Sequence, residues 1–181
     1  MYSDDEIVRA VLKGRVEEFT ILVERYQSAA FGLAYRILGR REDAEDAVQD
    51  TFVRTYRGLG SYTGQAGFWP WVRRITMNCC ISRLRRELPS DRVEAVLDSD
   101  DTCADPVEAD VLRKCKSEAV RAIIADLPAL YRTAVVLRYQ ENLCFDEIGE
   151  LLHERAGTIR VRLHRAHKIL AARLAEIRDE L

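Results

Sequence analysis

Between Glu87 and Asp110 the chain carries nine acidic residues and one basic residue, Arg92, with no sustained apolar period. Pro89, Ser90, Ser99 and Pro106 fall in the same stretch. Such a segment has too little apolar surface to build a core, and it reads as a flexible, solvated linker. It divides the 181 residues into one module over 1–86 and another over 111–181. Fully extended, the linker would reach about 80 Å, more than two turns of duplex DNA at ~34 Å each.

Both modules are predicted to be helical. Ala, Leu, Glu and Arg supply 79 residues, while Gly and Pro together supply 13. Good helix formers with few breakers give an all-α fold of two small domains. A sandwich or a doubly wound sheet is excluded on the same ground. The longest uncharged run, Gly58–Val72, is interrupted by four glycines and a proline and is too short to span a bilayer. The N-terminus, MYSDDEIVRA, is acidic and has no secretory apolar core, so a cytoplasmic protein without membrane insertion is expected. The five cysteines contain no C-x-x-C pair and fit no disulfide framework.

The net charge of −2 hides a segregation of charge. Trp71–Arg86 holds five arginines and no acid, and His153–Arg173 holds six Lys or Arg against the single acid Glu154. Arginine outnumbers lysine 24 to 4, and its planar fork suits phosphate and guanine. Two basic patches flanking an acidic spacer point to nucleic acid. Either patch alone also fits an ordinary solvated helix face.

In the first module, Ser3 and Glu6 have capping-box spacing ahead of an apolar face of Ile7, Val8, Val11 and Leu12. A helix is predicted over Val16–Leu38, ended by Gly39. A third begins near Glu42, with Ala44, Ala47, Val48, Phe52, Tyr56 and Leu59 inward and Glu45, Asp46, Gln49 and Asp50 outward. A glycine-punctuated loop holding Tyr62, Thr63, Phe68 and Trp69 leads into a helix opened by Pro70 and Trp71. Aromatic rings, then Arg73 and Arg74, then the amide of Asn78 suit a single strand: stacking, phosphate neutralisation and a base-edge contact. The competing reading places Phe68 and Trp71 in the core.

In the second module, helices are predicted over Val111–Ala125, Leu130–Tyr139, Phe145–Leu152 and Gly157–Ile177, with Leu130, Ala134, Val135 and Leu137 inside. The last two make a helix-turn-helix pattern. At about 100° per residue, Ile159, Leu163, Ala166 and Leu170 cluster on one side. The opposite side presents Val161, His164, Arg165 and Lys168, flanked by Arg160 and Thr158. His164 and His167 have no acid or thiol at ligand spacing, so both read as exposed or phosphate-facing.

Three stretches, RYQSAAFGLAYRILGRREDAEDAVQDTFVRTYRGL, GFWPWVRRITMNCCISRLRR and LPALYRTAVVLRYQENLCFDEIGELLHERAGTIRVRLHRAHKIL, resemble the extracytoplasmic-function (group IV) sigma factors of bacteria. The first two are similar to region 2 and the third to region 4. The resemblance implies a factor that binds core RNA polymerase, directs it to promoter DNA and is silenced by an anti-sigma factor. It implies −10 reading by Asn78 with the preceding loop, which completes an expected −10 site of Tyr62, Thr63, Phe68, Trp69, Arg73, Arg74 and Asn78, and −35 reading by Arg160, Val161, His164 and Arg165, on the face that also carries Thr158 and Lys168. It implies docking of Asp46, Gln49, Asp50 and Phe52 on the β′ clamp helices, with region 4 on the β flap. No cofactor, metal or catalytic residue is implied. His153-Glu154-Arg155 stands where the family usually has Gly-Ile-Ser or Gly-Ile-Pro, and Cys144 where it has a capping Ser or Thr, so an altered turn is expected. A stand-alone duplex-binding regulator and an anti-sigma decoy are the other classes. An enzyme has no phosphate loop, nucleophile elbow or metal cluster to rest on.

Overall fold

The structure, a computed structural model, describes residues 2–87 and 118–179. It falls into two compact units divided after Glu87. Beyond Glu87, the acidic segment lies outside the described residues, as do Val111–Ser117 of the expected fifth helix. All regular structure among the described residues is helical, and none of those helices is long and apolar enough to cross a membrane.

The first unit has four helices: α1 Asp4–Leu12, α2 Phe19–Leu38, α3 Arg41–Gly58 and α4 Phe68–Glu87. The capping box forms as expected. Ser3 N donates to Glu6 Oε2 at 2.8 Å, and Glu6 N donates to Ser3 Oγ at 3.3 Å. Ile7, Val8 and Val11 face the core, but Leu12, expected with them, is exposed in the final position of α1. A 3₁₀ turn, Val16–Glu18, leads into α2 and delays its start by three residues. Gly39 ends α2 in the left-handed region (φ 78°), its N–H reaching Tyr35 O at 2.8 Å.

α2, α3 and α4 pack against one another. On α3 the buried residues are Ala44, Ala47, Thr51, Phe52 and Thr55, followed by Leu59. Tyr56 is exposed, contrary to expectation. It projects about 40° beyond Phe52, at the edge of the buried arc, and meets Phe19 edge-on. Two threonines replace it inside, and Thr51 Oγ1 satisfies its hydrogen bond on Ala47 O at 2.7 Å. Cys79 and Cys80 of α4 are buried, and burial pushes both thiols up, Cys80 to about 12. The reactive thiolate is thereby suppressed, which argues against a redox role for this pair.

The second unit has α5 Glu118–Ala125, α6 Ala129–Val135, α7 Phe145–Leu152 and α8 Ala156–Asp179. α6 runs on as a π-helical turn, Val136–Gln140. Ala134, Val135 and Leu137 are buried, whereas Leu130 is only half-buried. Arg132 bridges α6 to the end of α5, donating to Ala125 O and Leu127 O. Ile159, Leu163, Ala166 and Leu170 line the buried side of α8, as the helical arithmetic requires.

The turn between α7 and α8 forms without the glycine the resemblance called for. His153 itself takes the left-handed conformation (φ 54°, ψ 43°). Its N–H reaches Glu150 O, and Glu154 N reaches Gly149 O at 2.9 Å, the two bonds of a Schellman end. The need for glycine has moved to position 149, where a Cβ would lie 2.7 Å from Glu154 O. Cys144 does cap α7: its Sγ accepts from Glu147 N at 3.5 Å, and Glu147 Oε2 accepts from Cys144 N at 2.7 Å. Glu154 also reaches forward to Arg162 Nη2 at 2.7 Å and ties the turn to α8.

Candidate polymerase and nucleic-acid interfaces

α3 turns Glu45, Asp46, Gln49 and Asp50 to solvent, because its opposite side carries the small and apolar residues that pack inward. Phe52 is a correction to the expected polymerase-facing set. It is buried in the first core, edge-on to Phe19, and so acts on this face only by holding α3 in place. The acids are not alone. Arg83 of α4 lies 2.5 Å from Asp46, 3.8 Å from Asp50 and 3.9 Å from Asp43. One arginine of the first basic patch is thus committed to the acidic face.

The remainder of that patch divides by direction. At about 100° per residue, Trp71, Arg74, Asn78 and Arg85 project within about 60° of one another. Arg74, Asn78 and Arg85 are exposed and Trp71 is half-buried. Trp69 stands half a turn out of phase with Asn78 and stacks on Tyr26 instead, with centroids 5.8 Å apart and planes 8° from parallel. Arg73, half-buried, points to the Trp69 side. Phe68 is a second correction: at 2% exposure it is a core residue rather than a base platform. Tyr26, Tyr62 and Trp71 pack on its ring.

Tyr62 lies 5.3 Å from Trp71, between centroids, so it joins the Asn78 side; Thr63 is exposed beside it. Sequence reasoning did not include Trp71 and Arg85 in this set. The 71–74–78–85 spacing, one helical face, was the signal for them. One ring, two guanidiniums and an amide along one helix, with the Tyr62 ring of the preceding loop at its start, are suited to following an unpaired strand.

Tyr62 and Tyr26 are both held by carboxylates of α1. Tyr62 donates to Asp5 Oδ1 at 3.0 Å and Tyr26 to Asp4 Oδ2 at 2.5 Å. Burial, then these hydrogen bonds, push both phenols up to about 12. Raised values mean that folding favours the neutral phenol. The stabilisation is complete below pH ~10, the ordinary tyrosine value, and is lost as pH rises through about 12. Both are expected to ionise well above pH ~10 in a phenolate-absorbance titration of the folded protein. Titration of both near pH 10 with the fold intact would count against these contacts.

On α8 the exposed arc contains Arg160, Val161 and Lys168, with Thr158, His164 and Arg165 half-buried around it. All six expected −35 residues fall within it. Arg160 lies over the Phe145 ring at 5.2 Å, and Arg138 lies over the same ring at 4.6 Å. Two polar residues bound the arc and face inward. Arg162, 8% exposed, pairs with Glu154, and His167, 6% exposed, meets the Tyr139 hydroxyl at 2.7 Å. The expectation that His167 faces solvent or phosphate is therefore overturned. It lies about 120° from Val161, where α8 meets the end of the π-helical turn.

The described residues thus form two helical units, the second a helix-turn-helix with a cationic exposed arc. Residues 22–88 match the model of sigma-70 region 2, and residues 117–170 match that of sigma-70 region 4. The chain is 31% identical over 179 residues to the ECF RNA polymerase sigma factor SigW of Bacillus subtilis, covering 94% of this chain and 96% of that one. It is 30% identical over 177 residues to the RNA polymerase sigma-H factor of Pseudomonas aeruginosa, covering 93% and 92%. Its fold is shared by the sigma factor RpoE of Bartonella quintana, solved in complex with the anti-sigma factor NepR (TM-score 0.53, 19% identity, 88% of this chain and 98% of that one). The chain belongs to the extracytoplasmic-function RNA polymerase sigma factors, the alternative sigma factors of transcription initiation.

Proposed function

We propose that this chain binds core RNA polymerase through the outward face of α3 and the β flap through its second unit. It reads the −10 element as a single strand along the Trp71–Arg74–Asn78 side of α4, and the −35 element as duplex with α8. It works in the cytoplasm, where the polymerase and promoter are, under an anti-sigma factor. The observation that carries this reading is the α8 arc. Side chains suited to bases and to phosphate share the side of the helix turned from the core, and the other side is packed on α6 and α7.

Addition of the protein to core polymerase is expected to give promoter-dependent transcripts; a stand-alone duplex-binding regulator would not. Within the arc, Arg165 is nearer the N-terminal half of α8 and has a planar fork, while Lys168 is a point charge one turn further on. Arg165→Ala should flatten discrimination among −35 duplex variants by about 1–3 kcal/mol at one base pair. Lys168→Ala should weaken all variants alike and reduce the salt slope by about 1. A salt titration of the full chain against wild-type and single-base −35 duplexes reads both. Uniform loss in both variants would leave Arg165 with a backbone contact only.

A further inference from the structure

The α4 face assigned to the −10 strand begins at a loop shaped by two glycines. Gly64 and Gly67 both have positive φ, 78° and 83°. Its backbone is tied at its edges by Tyr62 N to Leu59 O and by Gly67 N to Gly64 O. The Tyr62 ring packs on Phe68 and Trp71, and its hydroxyl is gripped from outside the loop.

That grip comes from α1. The Asp5 carboxylate accepts from the Tyr62 hydroxyl, 57 residues away in sequence. The same carboxylate lies over Gly64, where a Cβ would come within 3.6 Å of Asp5 Oδ1. α1 is itself fixed. Ile7, Val8 and Val11 enter the core, and the Asp4 carboxylate binds the Arg25 guanidinium and the Tyr26 hydroxyl on α2. We propose that Asp5 is a positioning residue for −10 recognition, fixing Tyr62 and the loop after it against the α4 face that meets the strand. This deepens the −10 reading of α4 and rests on it.

The sign of the effect separates this role from simple charge. Asp5 is an exposed anion beside a DNA-binding surface. On electrostatics alone, its removal should tighten every strand equally. A positioning role requires the opposite for the preferred strand: weaker selection, with no general gain.

The test uses the full chain assembled with core polymerase. Single-stranded oligonucleotides carry the −10 sequence that the wild-type holoenzyme selects from a randomised pool, or single-base variants of it. Asp5→Ala is expected to lower the ratio of preferred to variant affinity about fivefold, the size of one ordinary hydrogen bond at an exposed site. Tyr62→Phe should do the same. The double variant should be no worse than either alone, because both remove one contact. Asp5→Asn keeps an acceptor for the phenol and should recover most of the selectivity. Tighter binding of all strands by Asp5→Ala, or additive losses in the double variant, would overturn the proposal. Trp71→Ala and Asn78→Ala run alongside. Unchanged selectivity in both sinks the −10 reading together with this proposal. Reduced selectivity there, with none in Asp5→Ala, sinks the positioning role alone.

Discussion

Arg162→Ala is expected to destabilise the second unit by about 3 kcal/mol, the lower end of the range for breaking a buried ion pair. The loss has two sources. Glu154, whose side chain is 17% exposed, is left as an uncompensated charge. The buried aliphatic stem of Arg162 is lost as well. The measurement can be made on the intact chain because both tryptophans, Trp69 and Trp71, lie in the first unit. Their fluorescence follows that unit alone, while far-ultraviolet circular dichroism follows both. The variant should unfold in two separated steps, the earlier one invisible to fluorescence. A shift below about 1 kcal/mol would mean that the turn is held by packing alone. A Glu154→Leu/Arg162→Met double variant should recover much of the loss, since an apolar pair has no charge to strand.

Phe68→Ala should cost the first unit about 3–5 kcal/mol, as truncation of a fully enclosed aromatic does. Tyr26, Tyr62 and Trp71 all rest on its ring, at centroid distances of 5.5–5.8 Å, so the cavity would open beneath the residues that shape the proposed −10 face. Fluorescence-detected unfolding should move to much lower denaturant. Phe68→Leu keeps most of the volume and should preserve selection among −10 strands. A Phe68→Leu variant that folds normally but loses that selection would return Phe68 to the DNA-contacting set from which its burial removes it.

The contrast between α8 and α4 shows where sequence arithmetic works. α8 is buried on one side, so four apolar residues fix its rotation and every exposed residue follows. α4 has buried residues spread round most of its circumference: Phe68, Val72, Thr76, Met77, Cys80, Ile81 and Leu84. No single stripe sets its rotation, and Trp69 was grouped with Asn78 although they face opposite ways. His167 was misread because its partner, Tyr139, lies 28 residues away and nothing local marks the pairing. The His153-Glu154-Arg155 turn was legible as a departure but not as a solution. Its compensation combines a backbone approach at Gly149 with an ion pair from Glu154 to Arg162, two turns into the next helix. The two-unit helical plan and the α3 acidic face were legible because each depends on local pattern and charge alone.

Arg83 gives the acidic face of α3 a resident occupant. A cationic partner reaching Asp46 and Asp50 does not meet bare carboxylates; it meets carboxylates already served by a tethered guanidinium. Docking is then an exchange reaction, and the partner's gain is the difference between its own contacts and those it evicts. A single incoming charge replaces like with like and gains little. Glu45 is likewise served, by Arg41 at 2.8 Å, so a partner gains beyond the exchange by also engaging the uncharged amide of Gln49. Built-in competition of this kind trades strength of binding for discrimination: it discounts stray polycations and rewards a surface that matches the whole helix face.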